Sequence, residues 1–327
     1  MAVALLIVYV VWGSTYFGIA VMIQTMPPLL AAGVRYGLAG ILMLSGLALY
    51  VRWRGRAGGA ERPTAAHWRS AFIVGTLLLL GGNGGVVLSE LYIPSGVSAV
   101  LVATVPIWLA VFDALVTRQR PSRLVAGGLL AGVIGVAVLV VPVEGLAQIN
   151  PVGVVLVVGA AISWAAGSLY ARHAPLPRSG LLATGLEMLA GGFSLVVVGS
   201  LLGEIGQTDV AAFSGESVAA FVYLVIIGSI VGFTAYTWLL AHAPVSTVAT
   251  YAYVNPIVAV ALGAIFLSEP ITARTLIAGA IILSAVVAMV SGRPRTVEEC
   301  GPSPETGGEG AVVTPVPVSV PVAERDS

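Results

Sequence analysis

The stretches PSGVSAVLVATVP (residues 94–106) and PVSTVATYAYVNP (residues 244–256) decide the fold, because each begins and ends on a proline and the two pairs stand 150 positions apart. Working outward from them, Trp12 and Trp164 pair at an offset of 152, as do Ala126-Gly127 and Ala278-Gly279. One coincidence carries no weight, but several near one offset mark an internal duplication.

The duplicated chain is unusually apolar. Hydrophobic residues make up 58% of it and charged residues 9%, against about 25% charged in an ordinary soluble domain. The apolar residues fall in runs of about 20, enough to cross a hydrocarbon core of about 30 Å as α-helix. These runs lack the sustained alternation of a membrane β-barrel, so backbone polar groups have to be satisfied within helices. Ten spans are predicted, over residues 4–23, 29–51, 70–89, 96–115, 124–143, 152–170, 181–202, 218–240, 246–267 and 273–291. The first has no positive n-region, runs too long for a signal peptide and lacks a small-residue cleavage site, so it reads as helix one. After Ser291 the composition turns to Pro, Gly, Glu and Ser, which predicts a disordered tail over 292–327.

Arginines set the orientation, since short cytoplasmic loops retain positive charge. Arg52, Arg54, Arg56, Arg62 and Arg69 follow span two, Arg118, Arg120 and Arg123 follow span four, and Arg172 and Arg178 follow span six. Loops of the other parity carry Glu144, Glu204, Asp209, Glu216 and Glu269, with Arg274 as the one exception. Both termini are therefore predicted to be cytoplasmic. An odd number of spans per repeat makes the second half enter the membrane from the opposite side. The predicted architecture is an all-α membrane protein of ten transmembrane helices, arranged as two inverted five-helix repeats over 1–143 and 152–291. Such halves can exchange conformations around one midplane site, which is the physical basis of alternating access.

These residues resemble the EamA family of the drug/metabolite transporter superfamily over roughly residues 5–291. The likeness is carried by VWGSTYFGI (11–19) with RYGLAG (35–40), by GNGGVVLSELYIPSGVSAVLVATVPIW (82–108), and by YVNPIVAVALGAIFLSEPIT (253–272). The chain departs from the family pattern at Gly85, where relatives carry a bulkier residue, and at LSELY (88–92), where they tend to have WAEQY. The resemblance implies a ten-helix basket with a central cavity in the inner (plasma) membrane. It further implies export of amino acids, related metabolites or drugs without a nucleotide.

Candidate site residues are the polar and aromatic groups within the spans. Arg35 lies about 9 Å inside span two, where a cation is costly, so it is either functional or a structural staple to backbone carbonyls. Glu187 is its counterpart in the second half. Asn83 and Glu90 share a helix face seven residues apart. A carboxylate withdrawn from water favours the protonated form, which makes Glu90 the proton-coupling candidate, unless it is solvated at the interface. Trp12, Tyr16, Trp164, Tyr236 and Tyr251 offer polar-tipped rings for stacking or gating, against the alternative of packing or belt residues. Asn255 precedes Pro256, which frees a carbonyl in span nine, and the pair forms either a polar break facing substrate or only a kink.

His67, His173 and His242 show no metal-ligand spacing, so no metal site is expected, nor any cofactor or nucleic-acid partner. The chain has no lysine, which removes a Walker-type phosphate lysine and a lysine Schiff base. A membrane-embedded enzyme would need clustered His, Asp or Cys at depth, and no such cluster is read. A scaffold or sensor without transport would have a dry core between the halves. Gly33-x-x-x-Gly37 and Gly128-x-x-x-Gly132 allow close packing, either within the chain or in a homodimer. The expected partners are the bilayer and a small-molecule substrate.

Overall fold

The structure is a computed structural model and describes residues 1–54, 61–118, 123–140, 149–243, 245–248 and 250–291. The tail at 292–327 lies outside the described residues, as do the loop arginines Arg56 and Arg120. Among the described residues the chain is all helical, without strands. Seven helices are long and apolar enough to cross a membrane: α1 (Ala2–Met22), α2 (Pro28–Trp53), α3 (Ala65–Ser89), α4 (Ser95–Thr117), α6 (Pro151–Ala171), α7 (Gly180–Leu201) and α8 (Gly215–Leu239). Three shorter apolar helices complete the series: α5 (Arg123–Val140), α9 (Tyr251–Phe266) and α10 (Ala273–Ser291).

Helix starts follow local chemistry. Prolines open α2 and α6, where a missing N–H costs nothing. Asn150 accepts from Val152 N at 2.9 Å, and Ser214 from Ser217 N at 3.1 Å. Helix α3 begins five residues before the predicted start, because Thr64 and His67 close a reciprocal capping box ahead of Ala65. The predicted ninth span is divided. A short turn, Val245–Val248, precedes Tyr251–Phe266, and helix runs unbroken through Pro256. The interruption comes at Thr250, whose hydroxyl bonds the Thr247 carbonyl and meets the Tyr9 phenol instead of extending the helix.

Two helices change character midway. Residues Thr76–Gly84 of α3 and Leu224–Val231 of α8 are π-helical. Helix α4 breaks at Ala103–Thr104, directly before Pro106.

Helix α2 makes its most extensive packing with α7, through glycines. A Cβ on Gly33 would stand 2.9 Å from the Gly192 carbonyl, and one on Gly192 2.8 Å from Gly37 N. The Gly33-x-x-x-Gly37 motif is thus occupied within the chain. The outward face of α2 shows Val34, Leu38, Ile41, Leu42 and Leu49, while Ala31, Ala32, Arg35, Tyr36 and Ala39 are buried. Large apolar groups outside and small or polar groups inside suit a helix solvated by lipid rather than water. Gly85 is explained by packing too, since a Cβ there would lie 2.8 Å from the Ala160 methyl of α6.

Carboxylates tie helix ends across the chain. Glu204, after α7, accepts from Leu29 N and Leu30 N at the start of α2, at 3.1 and 2.8 Å. Glu61, after α2, accepts from Arg178 N and Ser179 N at the start of α7, at 2.9 and 3.4 Å. Glu269, after α9, accepts from Ser95 N and Gly96 N at the start of α4, at 2.8 and 3.2 Å. Each satisfies orphan amides at a positive helix terminus. Arg274, the exception to the loop-charge pattern, is buried and donates from Nε to the Val138 carbonyl of α5. It is a packed group joining two helices rather than a loop charge.

Candidate functional site

The polar and aromatic side chains gather where α1, α2, α3, α8 and α9 meet. Trp12 projects from α1 into a ring of aromatics. Its ring centroid lies 4.8 Å from Tyr236, 5.2 Å from Phe233 and 5.2 Å from Tyr251, with Tyr236 and Tyr251 5.9 Å apart edge to face. The indole enters because position 232 is glycine. A Cβ there would stand 2.7 Å from Trp12 Nε1.

Trp164 does not join this group. It packs on α3, where a Cβ at Gly82 would lie 2.8 Å from its Cε3. Ser163 beside it donates to the Leu77 carbonyl at 2.7 Å, inside the π-helical segment. The two tryptophans are nevertheless equivalent in kind. Each comes from the first helix of its half and rests on a glycine at or beside a π-helical segment of the other half, and Gly82 and Gly232 are 150 positions apart. Long π-helical runs are rare and gather at functional sites, because the wider turn re-aims side chains and loosens the backbone bonding.

Arg35 lies about 10 Å from the start of α2 and is 1% exposed. Its Nε donates to Ser229 Oγ at 3.1 Å, in the π-helical part of α8, and its guanidinium carbon lies 4.6 Å from the centroid of the Tyr36 ring. Nη1 is buried without a partner. Tyr223 stands beside the guanidinium and shares a 2.6 Å hydrogen bond with Ser14. Tyr16 lies within electrostatic reach of Tyr36, Glu90 and Tyr251, which relates the polar group to the aromatic one.

Glu90 follows the last turn of α3, with both carboxylate oxygens shut off from the surface and unpartnered. Its charged neighbour is Glu269. Asn83 Oδ1 is likewise buried without a partner. The helix face that seven-residue spacing assigns to Asn83 and Glu90 assumes a regular α-helix, whereas Asn83 sits within the π-helical segment. Asn255 is buried, and with its amide oriented to donate, the nitrogen reaches the carbonyls of Tyr9 at 3.1 Å and Tyr251 at 3.2 Å. Its polarity ties α9 to α1. A groove of about 490 Å³ lies elsewhere, between α5 and α10, lined by Arg123, Gly127, Ala131, Ala280 and Ser284 among others, and none of the candidate residues lines it.

The site contains partners that sequence reading did not single out: Phe233, Tyr36, Ser229, Tyr223 and Ser14. Tyr36 adjoins Arg35 in the chain. The others become neighbours only through helix packing, although the repeat offset linking Gly82 to Gly232 was readable. What the arrangement offers chemically is a buried guanidinium and a buried carboxyl group, linked by phenols and flanked by an aromatic wall.

The chain is similar to known transporters over most of its length. The model of the EamA-like transporter family matches twice, over residues 1–141 and 151–291. "Uncharacterized inner membrane transporter YedA" of Escherichia coli K12 is 38% identical over 89% of this chain and 90% of its own. "Protein PecM" of Dickeya dadantii is 28% identical over 85% and 88%, and "Probable amino-acid metabolite efflux pump" of Salmonella typhimurium is 25% identical over 86% and 91%. A solved structure titled "Crystal structure of protein" aligns with a TM-score of 0.57 at 18% identity, covering 88% of this chain and 94% of that one, and so shares the fold. With the family matched in both halves and apolar helices able to span a bilayer, this chain belongs to the EamA-like transporter family, as a multi-pass transporter of the inner membrane.

Proposed function

We propose that the protein is a secondary exporter of a small metabolite, an amino acid or related compound, that works by alternating access between two inverted five-helix halves. Ten spans, cytoplasmic termini and repeats over 1–143 and 152–291 belong to this reading. The observation that carries it is reciprocal capping. Glu204 follows α7 and caps α2, while Glu61 follows α2 and caps α7. Two helices whose N-terminal ends are each held by a carboxylate that follows the other fit an inverted duplication. The tryptophan–glycine pairs across the halves add support. The amino-acid class is supported by the name of one relative, a probable amino-acid metabolite efflux pump, and by a site holding both a cationic and an acidic group.

The test is counterflow in proteoliposomes without nucleotide. A labelled substrate from a panel of amino acids, nucleosides, sugars and cationic drugs should enter faster when its unlabelled form is trapped inside. Failure of every class, with protein that elutes as a single folded species, would remove the transporter mechanism proposed here. Glu90 is assigned to proton coupling, because a buried carboxyl without a partner has nothing else to stabilise its charge. Glu90→Gln should keep counterflow but lose accumulation driven by an imposed proton gradient; undiminished gradient-driven transport would take Glu90 out of the coupling role.

A further inference from the structure

Arg35 poses a charge problem that the chain does not solve. The guanidinium is 1% exposed. Nε donates to Ser229, the guanidinium lies against the Tyr36 ring, and among the described residues Nη1 has no partner. The ionisable groups beside it are the phenols of Tyr36 and Tyr223, and among the described residues no carboxylate pairs with it. A buried cation needs a counter-charge or a full set of hydrogen bonds, and this one has neither. A structural staple would have its N–H groups satisfied.

The guanidinium lies close against the backbone of α8. Position 228 is glycine, and a Cβ there would stand 3.2 Å from Thr15 Cγ2 and 3.3 Å from Nη2. Gly228 and Ser229 both lie in the π-helical segment of α8, so a single irregular stretch supplies the partner of Nε and the close backbone beside Nη2 while leaving Nη1 unanswered.

Resting on the transport reading, we propose that Arg35 receives the carboxylate of the transported substrate through the guanidinium edge that carries the unpartnered Nη1, so that the protein selects monoanionic carboxylate compounds. Charge balance excludes a phosphate dianion as the preferred group. One arginine neutralises one negative charge, the chain has no lysine to supply another, and the ionisable groups beside Arg35 are phenols rather than a second cation. A planar carboxylate also matches the two parallel N–H bonds of a guanidinium edge.

The test uses matched pairs on the purified full chain: L-threonine, L-leucine and L-phenylalanine against their C-terminal amides, read by thermal stabilisation and by counterflow. The free acid of at least one pair should bind about tenfold or more tighter than its amide, as expected for a lost charge-assisted hydrogen bond. Arg35→Gln should bring that ratio close to one. Should that variant fail to fold, Gly228→Ala keeps the charge but crowds Nη2 and displaces the guanidinium, and should weaken the acid more than the amide. Equal affinity for acid and amide, or an acid preference that survives in both variants, overturns the assignment. Counterflow of amides, nucleosides or cationic drugs without any acid preference would sink the carboxylate site while leaving the transporter standing. Counterflow of nothing would sink both.

Discussion

At the scale of single residues, the site is organised by what glycine omits. Trp12 and Trp164 are legible in the sequence as a repeat pair, but their seats, Gly232 and Gly82, are two among 40 glycines, and composition does not say which of them a ring must cover. The contacts do. Replacing Gly232 by alanine puts a methyl 2.7 Å from the Trp12 indole nitrogen, and overpacking of this kind costs about 1–3 kcal/mol. Gly232→Ala should therefore lower the thermal midpoint of the detergent-purified protein by several degrees. Gly37→Ala, where a Cβ meets nothing within 4 Å, should be neutral or stabilising, since alanine favours helix over glycine by about 0.5–1 kcal/mol. Equal melting of the two variants would mean that Trp12 has another place to go. The same limit explains why Arg35 was readable as a candidate and its surroundings were not: a cation in an apolar run is visible in one dimension, whereas Ser229, 194 residues away, is found only by packing α2 against α8.

At the scale of elements, carboxylates outside the helices fix how the helices are held. The sequence marks Glu204 and Glu269 as loop acids of the arginine-poor side, correct in composition but silent on their work, because a cap supplied from across the fold has no local spacing. Proline breaks were partly legible. Pro106 stands directly after a break in α4, while Pro256 is carried inside α9 and the interruption falls at Thr250. The π-helical segments had no sequence signature, since apolar runs with glycines serve α- and π-turns alike. The clamps make a quantitative prediction. Glu204→Ala leaves Leu29 N and Leu30 N without their acceptor, and Glu61→Ala does the same to Arg178 N and Ser179 N. Each loss should cost about 1–2 kcal/mol, the exposed Glu61 clamp at the lower end. The caps sit at opposite ends of the α2–α7 pair, so the double variant should melt at the sum of the two shifts to within about 0.5 kcal/mol. Strong non-additivity would show that the clamps act as one unit.

At the scale of the whole molecule, the inverted arrangement we propose would place equivalent loops on opposite sides of the membrane. Duplication was visible in the spacing of prolines and tryptophans, whereas inversion was a deduction from an odd number of spans per half. That count depends on α5, α9 and α10 crossing the membrane alongside the other seven helices. Trp53 at the end of α2 and Gln207 after α7 occupy corresponding places in the two halves, and both are exposed. With Cys300, the sole cysteine, changed to serine, single cysteines at these positions report sidedness directly. A membrane-impermeant maleimide applied to intact cells should label Gln207→Cys and spare Trp53→Cys until the membrane is opened. Labelling of both from one side would make the halves parallel, and parallel halves cannot exchange conformations to open one site alternately to each face. Reversed labelling would preserve inversion but turn the protein over, placing the Glu204 clamp on the cytoplasmic side and the Glu61 clamp outside.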